Sequence, residues 1–363
     1  MKQMQMTSRE RLQAALHRQP VDRLPWSPLM DGYFVSSLPK QGYDFDLLEA
    51  ARYIGCDLME RHVAGPAERI ENVTIRTEEN AAGSRRYYET PVGTAYLERK
   101  NTGNTSYVCK HLIESIEDAK IYQYIAEHTF YEPNIADFVK RDQQIGDMGL
   151  ATLSGCMSPI QEVLQVLGGV ENTVYLMADY PEEMDALFAA MHQRNKRQYA
   201  ALLEYPCDVI IDYEDTSTTV MNRRMFTEYS LPAINEYADL VHQAGKLYIT
   251  HMCGKLTGFA KEIGSGRQDG VDSVCPPNTG DLWPWDARKV WGPEKVVIGG
   301  IDPPRLSMVS KEEAGEMALE VIQKVEDKCG FILSTGDAVA HGTPIENLKQ
   351  IADLIADLGE KSL

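Results

Sequence analysis

No apolar run in this chain approaches the roughly 20 residues that a bilayer-spanning helix needs, which argues against a helical membrane protein. The opening MKQMQMTSRERLQ has no apolar core either, so a secretory leader is not expected there. Cysteine is sparse: there are seven in 363 residues, an odd number without dense or regular spacing. A disulfide framework is therefore not expected, and the pattern fits reduced thiols in a cytoplasm. Positive charge is short too, with 36 Lys and Arg against 54 acidic residues and a net charge of −18. Such a field repels phosphates, and Arg85-Arg86 and Arg223-Arg224 are pairs rather than a basic patch. Nucleic acid is excluded as a partner on that ground. No G-x-G-x-x-G follows the first strand, so a dinucleotide site has no motif behind it.

What the chain does have is an ordinary globular composition, 43% hydrophobic and 25% charged, and a regular rhythm. Thr7-Ser-Arg-Glu10 reads as a capping box that opens a short helix. A strand is expected near Leu24 to Met30. From about residue 146 short apolar runs alternate with longer helical ones: Met148–Ser154, Asp208–Asp212, Leu247–Thr250, Val271–Val274, Val296–Gly299 and Phe331–Ser334. Helices are expected over Glu182–Leu203, Phe226–Gln243, Lys311–Asp327 and Ile345–Leu358. Strands alternating with helices imply parallel βαβ units, and seven or eight of them imply a (β/α)8 TIM barrel occupying residues 1–363 as one domain. Residues 71–113 break the rhythm. They are rich in β-formers, turns and charge and read as a small antiparallel meander inserted after the second barrel strand, either a lid, a partner surface or a decoration.

A barrel of this kind keeps its chemistry at the C-terminal ends of its strands. That rule gathers Asp31, Glu60, His62, Ser154, Cys156, Asp212, Glu214, Asp215, His251, Cys253, Cys275, Asp302, Ser334 and Asp337. His251-Met-Cys253-Gly254 is the most informative stretch among them. Strand residues alternate faces, so His251 and Cys253 point the same way if the strand runs that far. An imidazole and a thiolate together form half of a zinc site. Cys275, on the neighbouring strand six, and Glu214, on strand four, complete a candidate metal set of His251, Cys253, Cys275 and Glu214. The blander alternatives stay open: Cys275 as a small corner filler, Glu214 as helix N-terminal charge, Asp302 as a turn former. Trp283, Trp285 and Trp291 either stack on a flat ligand or anchor their loop.

Together these segments resemble the uroporphyrinogen decarboxylase superfamily, and within it the corrinoid-dependent methyltransferase branch. The resemblance spans nearly the whole chain. It rests on Arg9-Glu-Arg-Leu, Pro20-Val-Asp-Arg-Leu-Pro25, Glu89-Thr-Pro-Val-Gly-Thr94, His251-Met-Cys-Gly254, Gly300-Ile-Asp-Pro303, Gly336 and Gly342-Thr-Pro-Ile-Glu-Asn347. True decarboxylases of the superfamily carry an early Arg-Gln-Ala-Gly-Arg carboxylate clamp, where this chain has Leu29-Met-Asp-Gly-Tyr-Phe34 without arginine. Thiol-methylating relatives resemble each other in a later Cys whose place is taken here by Asp337. A harder, carboxylate-richer zinc site resembles that of the O-demethylase members.

The resemblance thus implies a Zn2+-dependent methyltransferase. It would move a methyl group from an aryl methyl ether to the Co(I) corrinoid (cobalamin) of a partner protein. Glu214 or Asp337 would protonate the leaving oxygen. Methylcobalamin:thiol methyl transfer is the alternative, and decarboxylation a more distant one. A barrel without catalysis that only binds a ligand or the carrier is a further reading. The oligomeric state is left open, a homodimer included.

Overall fold

The computed structural model describes residues 5–61, 63–103 and 105–363. His62, gathered above among the strand-end residues, lies outside them. The barrel forms from parallel strands that each run from a polar turn to the mouth. They begin with β1 (Leu58–Glu60). There follow β2 (Ala67–Ile70), β3 (Thr74–Asn80), β4 (Gly83–Thr90), β5 (Gly93–Asn101), β6 (Ser106–Lys110) and β7 (Thr129–Glu132), all outside the barrel wall. The wall resumes with β8 (Gly149–Ala151), β9 (Leu153–Ser154), β10 (Val209–Tyr213), β11 (Leu247–His251), β12 (Gly270–Val274), β13 (Val296–Ile301) and β14 (Phe331–Thr335). β9 to β14 pair in parallel in sequence order, and β1 pairs in parallel with β8. The segment expected as a first strand is reduced to one parallel bridge, Trp26 to Leu333. It still closes the circle: Leu333 donates to Pro25, Ser27 donates to Leu333, and Asp57 donates to Trp26. Pro25 and Pro28 have no N–H to give, which limits this stave to a short ladder.

The expected helices are present, with Pro181–Leu202, Lys311–Lys324 and Ile345–Leu358 on the outside. The helix predicted over 226–243 opens with a π-helical stretch, Phe226–Ser230, and continues as Leu231–Gln243. The capping box predicted at Thr7 starts the helix Ser8–Leu16, with both reciprocal bonds present. That helix lies under the barrel. Its Leu12, Ala15 and Leu16 share one buried cluster with Met59, Leu150, Val209, Ile211, Ile249, Val296, Ile298 and Ile332 from the wall. These wall residues alternate with others that face the outer helices, as a period of two requires.

Two residues further along, the inward positions change character. Met59 is followed by Arg61, Ile211 by Tyr213, Ile249 by His251 and Ile332 by Ser334. The barrel interior therefore has an apolar lower layer and a polar upper layer.

In the 71–113 region β3 to β6 form a four-stranded antiparallel sheet, while β2 pairs with β7. Its outer face is held by exposed cross-strand pairs such as Arg85–Glu98 at 2.6 Å and by Arg76 over the Tyr87 ring at 4.0 Å. Gly93 sits against Ile121 of the helix Ile116–Glu127, where a Cβ would come within 2.9 Å of that side chain.

Candidate metal centre

β11 delivers His251 into the polar layer as the third inward residue after Leu247 and Ile249. The imidazole is nearly fully buried, and its Nδ1 lies 2.8 Å from Asp272 Oδ2 on the neighbouring β12. The register places the two residues side by side. A carboxylate in that position holds the proton on Nδ1 and turns the Nε2 lone pair outward. Asp272 is in turn ion-paired with Arg61, 3.1 Å away, and both side chains are completely buried. Burial alone pushes the Asp272 carboxyl up, but Arg61 and His251 outweigh it and hold it below the ordinary carboxylate range. Burial likewise pulls His251 down, and the bond and charge of Asp272, with Asp215 and Asp337 beyond it, bring it above its usual value.

Nε2 faces Asp215 Oδ1 at 3.6 Å and Asp337 Oδ1 at 4.0 Å, while Cys253 Sγ lies 3.7 Å from Asp215 Oδ1. One ligand atom each from Asp215, His251 and Cys253 falls within 4.8 Å of the others, a group of nitrogen, sulfur and oxygen donors suited to zinc. The strand ends at His251, so Cys253 does not arrive by strand alternation. A close crossing brings it there: Gly254 packs on the Thr216–Ser217 loop, where a Cβ would lie 2.3 Å from Ser217 Cβ. Only glycine allows that approach, which explains the last letter of the His-Met-Cys-Gly stretch.

Asp215 is the member that sequence reasoning underweighted. Its φ of 45° is in the left-handed region, rare for a residue with a side chain. Its N–H donates to His251 O, and its carbonyl accepts from both Gln161 Nε2 at 3.0 Å and Gln165 Nε2 at 2.9 Å. Those glutamines sit one turn apart on the segment that begins as Pro159–Glu162 and loosens into a π-helix at Val163–Leu167. Burial raises the Asp215 carboxyl, and His251 works against that rise.

Glu214 and Cys275, both expected among the ligands, do not lie in this group. Glu214 points to the opposite side of β10. Its carboxylate accepts from Ser158 N at 2.7 Å and Ser158 Oγ at 2.5 Å, fully buried between the wall and the outer helices. Desolvation outweighs those bonds and pushes it to about 7. Strand alternation separates it from Tyr213 and Asp215. Asp212 shares its outward side, accepting from Tyr248 Oη at 2.7 Å. Cys275 is buried against Gly336, where an added Cβ would lie 2.5 Å from Sγ, and burial pushes its thiol to about 12. It fills the corner between β12 and β14. Asp337 stands at the edge of the group with its side chain 41% exposed, close enough to join it.

Other strand-end residues have structural work. Asp31 and Asp302 cap short helices by accepting from Phe34 N and Arg305 N, each at 2.8 Å. Trp283 and Trp285 stack on each other with centroids 4.4 Å apart, and Trp291 Nε1 donates to Ala260 O. They anchor their loop. Arg61 and Asp272 were not singled out from sequence; the signal was there, since Arg61 follows inward Met59 by two and Asp272 lies beside His251.

The family described as uroporphyrinogen decarboxylase (URO-D) matches residues 99–358. Among solved structures, a methyltransferase from Methanosarcina mazei superposes with a TM-score of 0.64 at 15% identity, covering 97% of this chain and 99% of that one. A putative vitamin-B12 independent methionine synthase from Listeria monocytogenes gives 0.41 at 12% identity, over 93% and 96%. No curated protein matches.

Proposed function

Because the chain belongs to the uroporphyrinogen decarboxylase (URO-D) family, we propose that its barrel mouth is the active site of a zinc-dependent methyltransferase. Its methyl donor would be a small methoxylated aromatic and its acceptor the Co(I) corrinoid of a partner protein. The observation that carries this reading is the trio Asp215, His251 and Cys253, with His251 locked by Asp272 so that Nε2 faces the other two donors. The fold shared with the Methanosarcina methyltransferase supports it. The early arginine clamp of true decarboxylases is absent from Leu29–Phe34, which weighs against decarboxylation.

The donor set fits zinc in kind and number, with three protein ligands and the fourth position left to the ether oxygen. Zinc held there would supply Lewis-acid activation of the ether oxygen. The chain's own residues supply placement. Asp272 fixes the His251 tautomer, and Gln161 and Gln165 hold the Asp215 backbone. Tyr213, whose ring centroid is 4.9 Å from that of His251, forms one wall. A Co(I) corrinoid on the partner would supply the nucleophile for the methyl carbon, and the phenolate would leave with the electron pair of the broken C–O bond. Asp337, with its side chain 41% exposed at the rim, would pass a proton to that oxygen. The same rim, with the 71–113 sheet as its outlying part, is the proposed docking side for the carrier. The whole chain acts as one barrel domain.

Elemental analysis of protein purified without chelator should find about one zinc per chain. Asp215→Ala and Cys253→Ala should lose it while keeping the fold by circular dichroism. Methylcobalt absorbance should then grow from a Co(I) carrier and methoxylated aromatics with the wild type only. Full metal in both variants would remove the trio from consideration. Methyl thioether formed from methylcobalamin and thiols would instead favour the reverse transfer.

A further inference from the structure

The two faces of the inserted sheet treat their charges differently. Side chains alternate along its strands, so Arg76, Glu78, Arg85, Glu89 and Glu98 share the outer face, and Ile75, Thr77, Arg86, Leu97 and Arg99 the inner one. On the outer face each of these arginines has a carboxylate: Arg85 has Glu98 at 2.6 Å, and Arg76 has Glu78 and Glu89. On the inner face neither Arg86 nor Arg99 makes an ion pair or a side-chain hydrogen bond among the described residues. Arg86 lies over the Tyr88 ring instead, 5.4 Å from its centroid. Glu79 shares the inner face but sits across Ser84 from Arg99, and Glu68 accepts from Tyr131. This face is covered only in part. Gly93 and buried Ala95 lie at the end that packs on the helix Ile116–Glu127. At the far end Thr77, Arg86 and Arg99 are exposed, and a cavity of about 290 Å³ opens between them, Ser84, Tyr88 and Leu97. Ile75, 39% exposed, is the next inward residue along β3.

We infer that this overhanging inner face docks a partner protein through an acidic segment of that partner. Two arginines without carboxylates stand out on a chain of net charge −18, and planar guanidinium donors match carboxylates in charge and shape. Tyrosine and aliphatic carbon beside them complete the mixture that protein interfaces favour. A nucleic-acid strand fits less well, because its phosphates would run on into the acidic remainder of the surface. The sheet branches off after the end of β1, on the mouth side of the barrel, so a protein held there stands on the side where the His251 group opens. The identity of the partner rests on the methyltransferase reading, under which it is the corrinoid carrier. The chemistry of the docking segment does not depend on that reading.

The first test is binding, without carrier or turnover. Fluorescein-labelled decaglutamate is titrated with the full chain at low ionic strength and followed by anisotropy. It should bind the wild type and be released as salt rises. Arg86→Glu/Arg99→Glu should weaken it at least roughly ten-fold. Arg76→Glu/Arg85→Glu shifts the net charge equally but lies on the outer face, and should change binding by no more than about two-fold. All four positions are on exposed strand surface, where such changes leave the fold in place. No binding by the wild type, or equal loss in the two double variants, overturns the inference. So does an oligothymidylate of the same length that binds as tightly. The second test compares methyl transfer to a Co(I) corrinoid protein with transfer to free Co(I) cobalamin. The ratio of the two rates, at carrier below saturation, should fall roughly ten-fold in Arg86→Glu/Arg99→Glu. An unchanged ratio overturns the docking role. Peptide discrimination retained without methyl transfer to either acceptor would sink the proposed reaction and leave the acidic-segment surface standing.

Discussion

The lower and upper halves of the barrel interior are built from the same strands and differ in almost everything else. Below, Ile249, Ile298 and Ile332 pack with Leu12 and Leu16 in a layer whose position is fixed by volume alone. Above, polar inward side chains are held by named partners: Asp272 by Arg61, His251 by Asp272, Ser334 by Ser27. Non-directional packing tolerates change that keeps volume, whereas a polar chain fails wherever one partner goes. Within the barrel interior, apolar packing thus lies in one layer and the candidate site in the other, two residues apart along the strands.

The sharpest way to break that division is a cavity in the lower layer. Ile298→Ala should cost about 2–5 kcal/mol in urea unfolding while zinc content stays at the wild-type level. Metal lost in proportion to stability would mean that the layers are one unit. Behind β10, a second comparison concerns charge. The Asp212 carboxyl is raised well above its ordinary 3.8 by burial and by Glu214. The folded chain therefore keeps a proton that the unfolded chain releases, and stability falls as pH rises above that ordinary value. Asp212→Asn should flatten that decline, read as urea midpoints followed from acid to neutral pH. An unchanged slope would assign the titration elsewhere. The smallest effect is expected from the supports of Asp215. Gln161→Ala should weaken zinc binding about ten-fold, near 1.4 kcal/mol, with little change in melting temperature. A melting temperature that falls while affinity holds would make the glutamine a packing element only.

How much of this was legible beforehand follows the same division. The lower layer and the barrel follow from apolar runs with helices between them, because burial writes itself into composition. His251 and Cys253 were readable as a pair of metal-prone side chains at a strand end. The choice between Glu214 and Asp215 was not. Ile210 and Ile211 are both apolar and both buried, so nothing in Asp208-Val-Ile-Ile-Asp212 says which face looks inward. The left-handed turn at Asp215 and the two glutamines that hold its carbonyl come from a segment some 50 residues earlier and leave no local mark. Cys275 carried a ligand's chemistry in its sequence but a filler's place in space, decided by its contact with Gly336.

The helix Ser8–Leu16 has one more consequence. By sealing the underside, it leaves the barrel with a single door. In the proposed reaction a small donor and a bulky carrier would both use it, and a docked carrier would shut the donor out. Turnover would then be compulsory in order: the small molecule boards first, the carrier second, and the demethylated product leaves only after the carrier has gone.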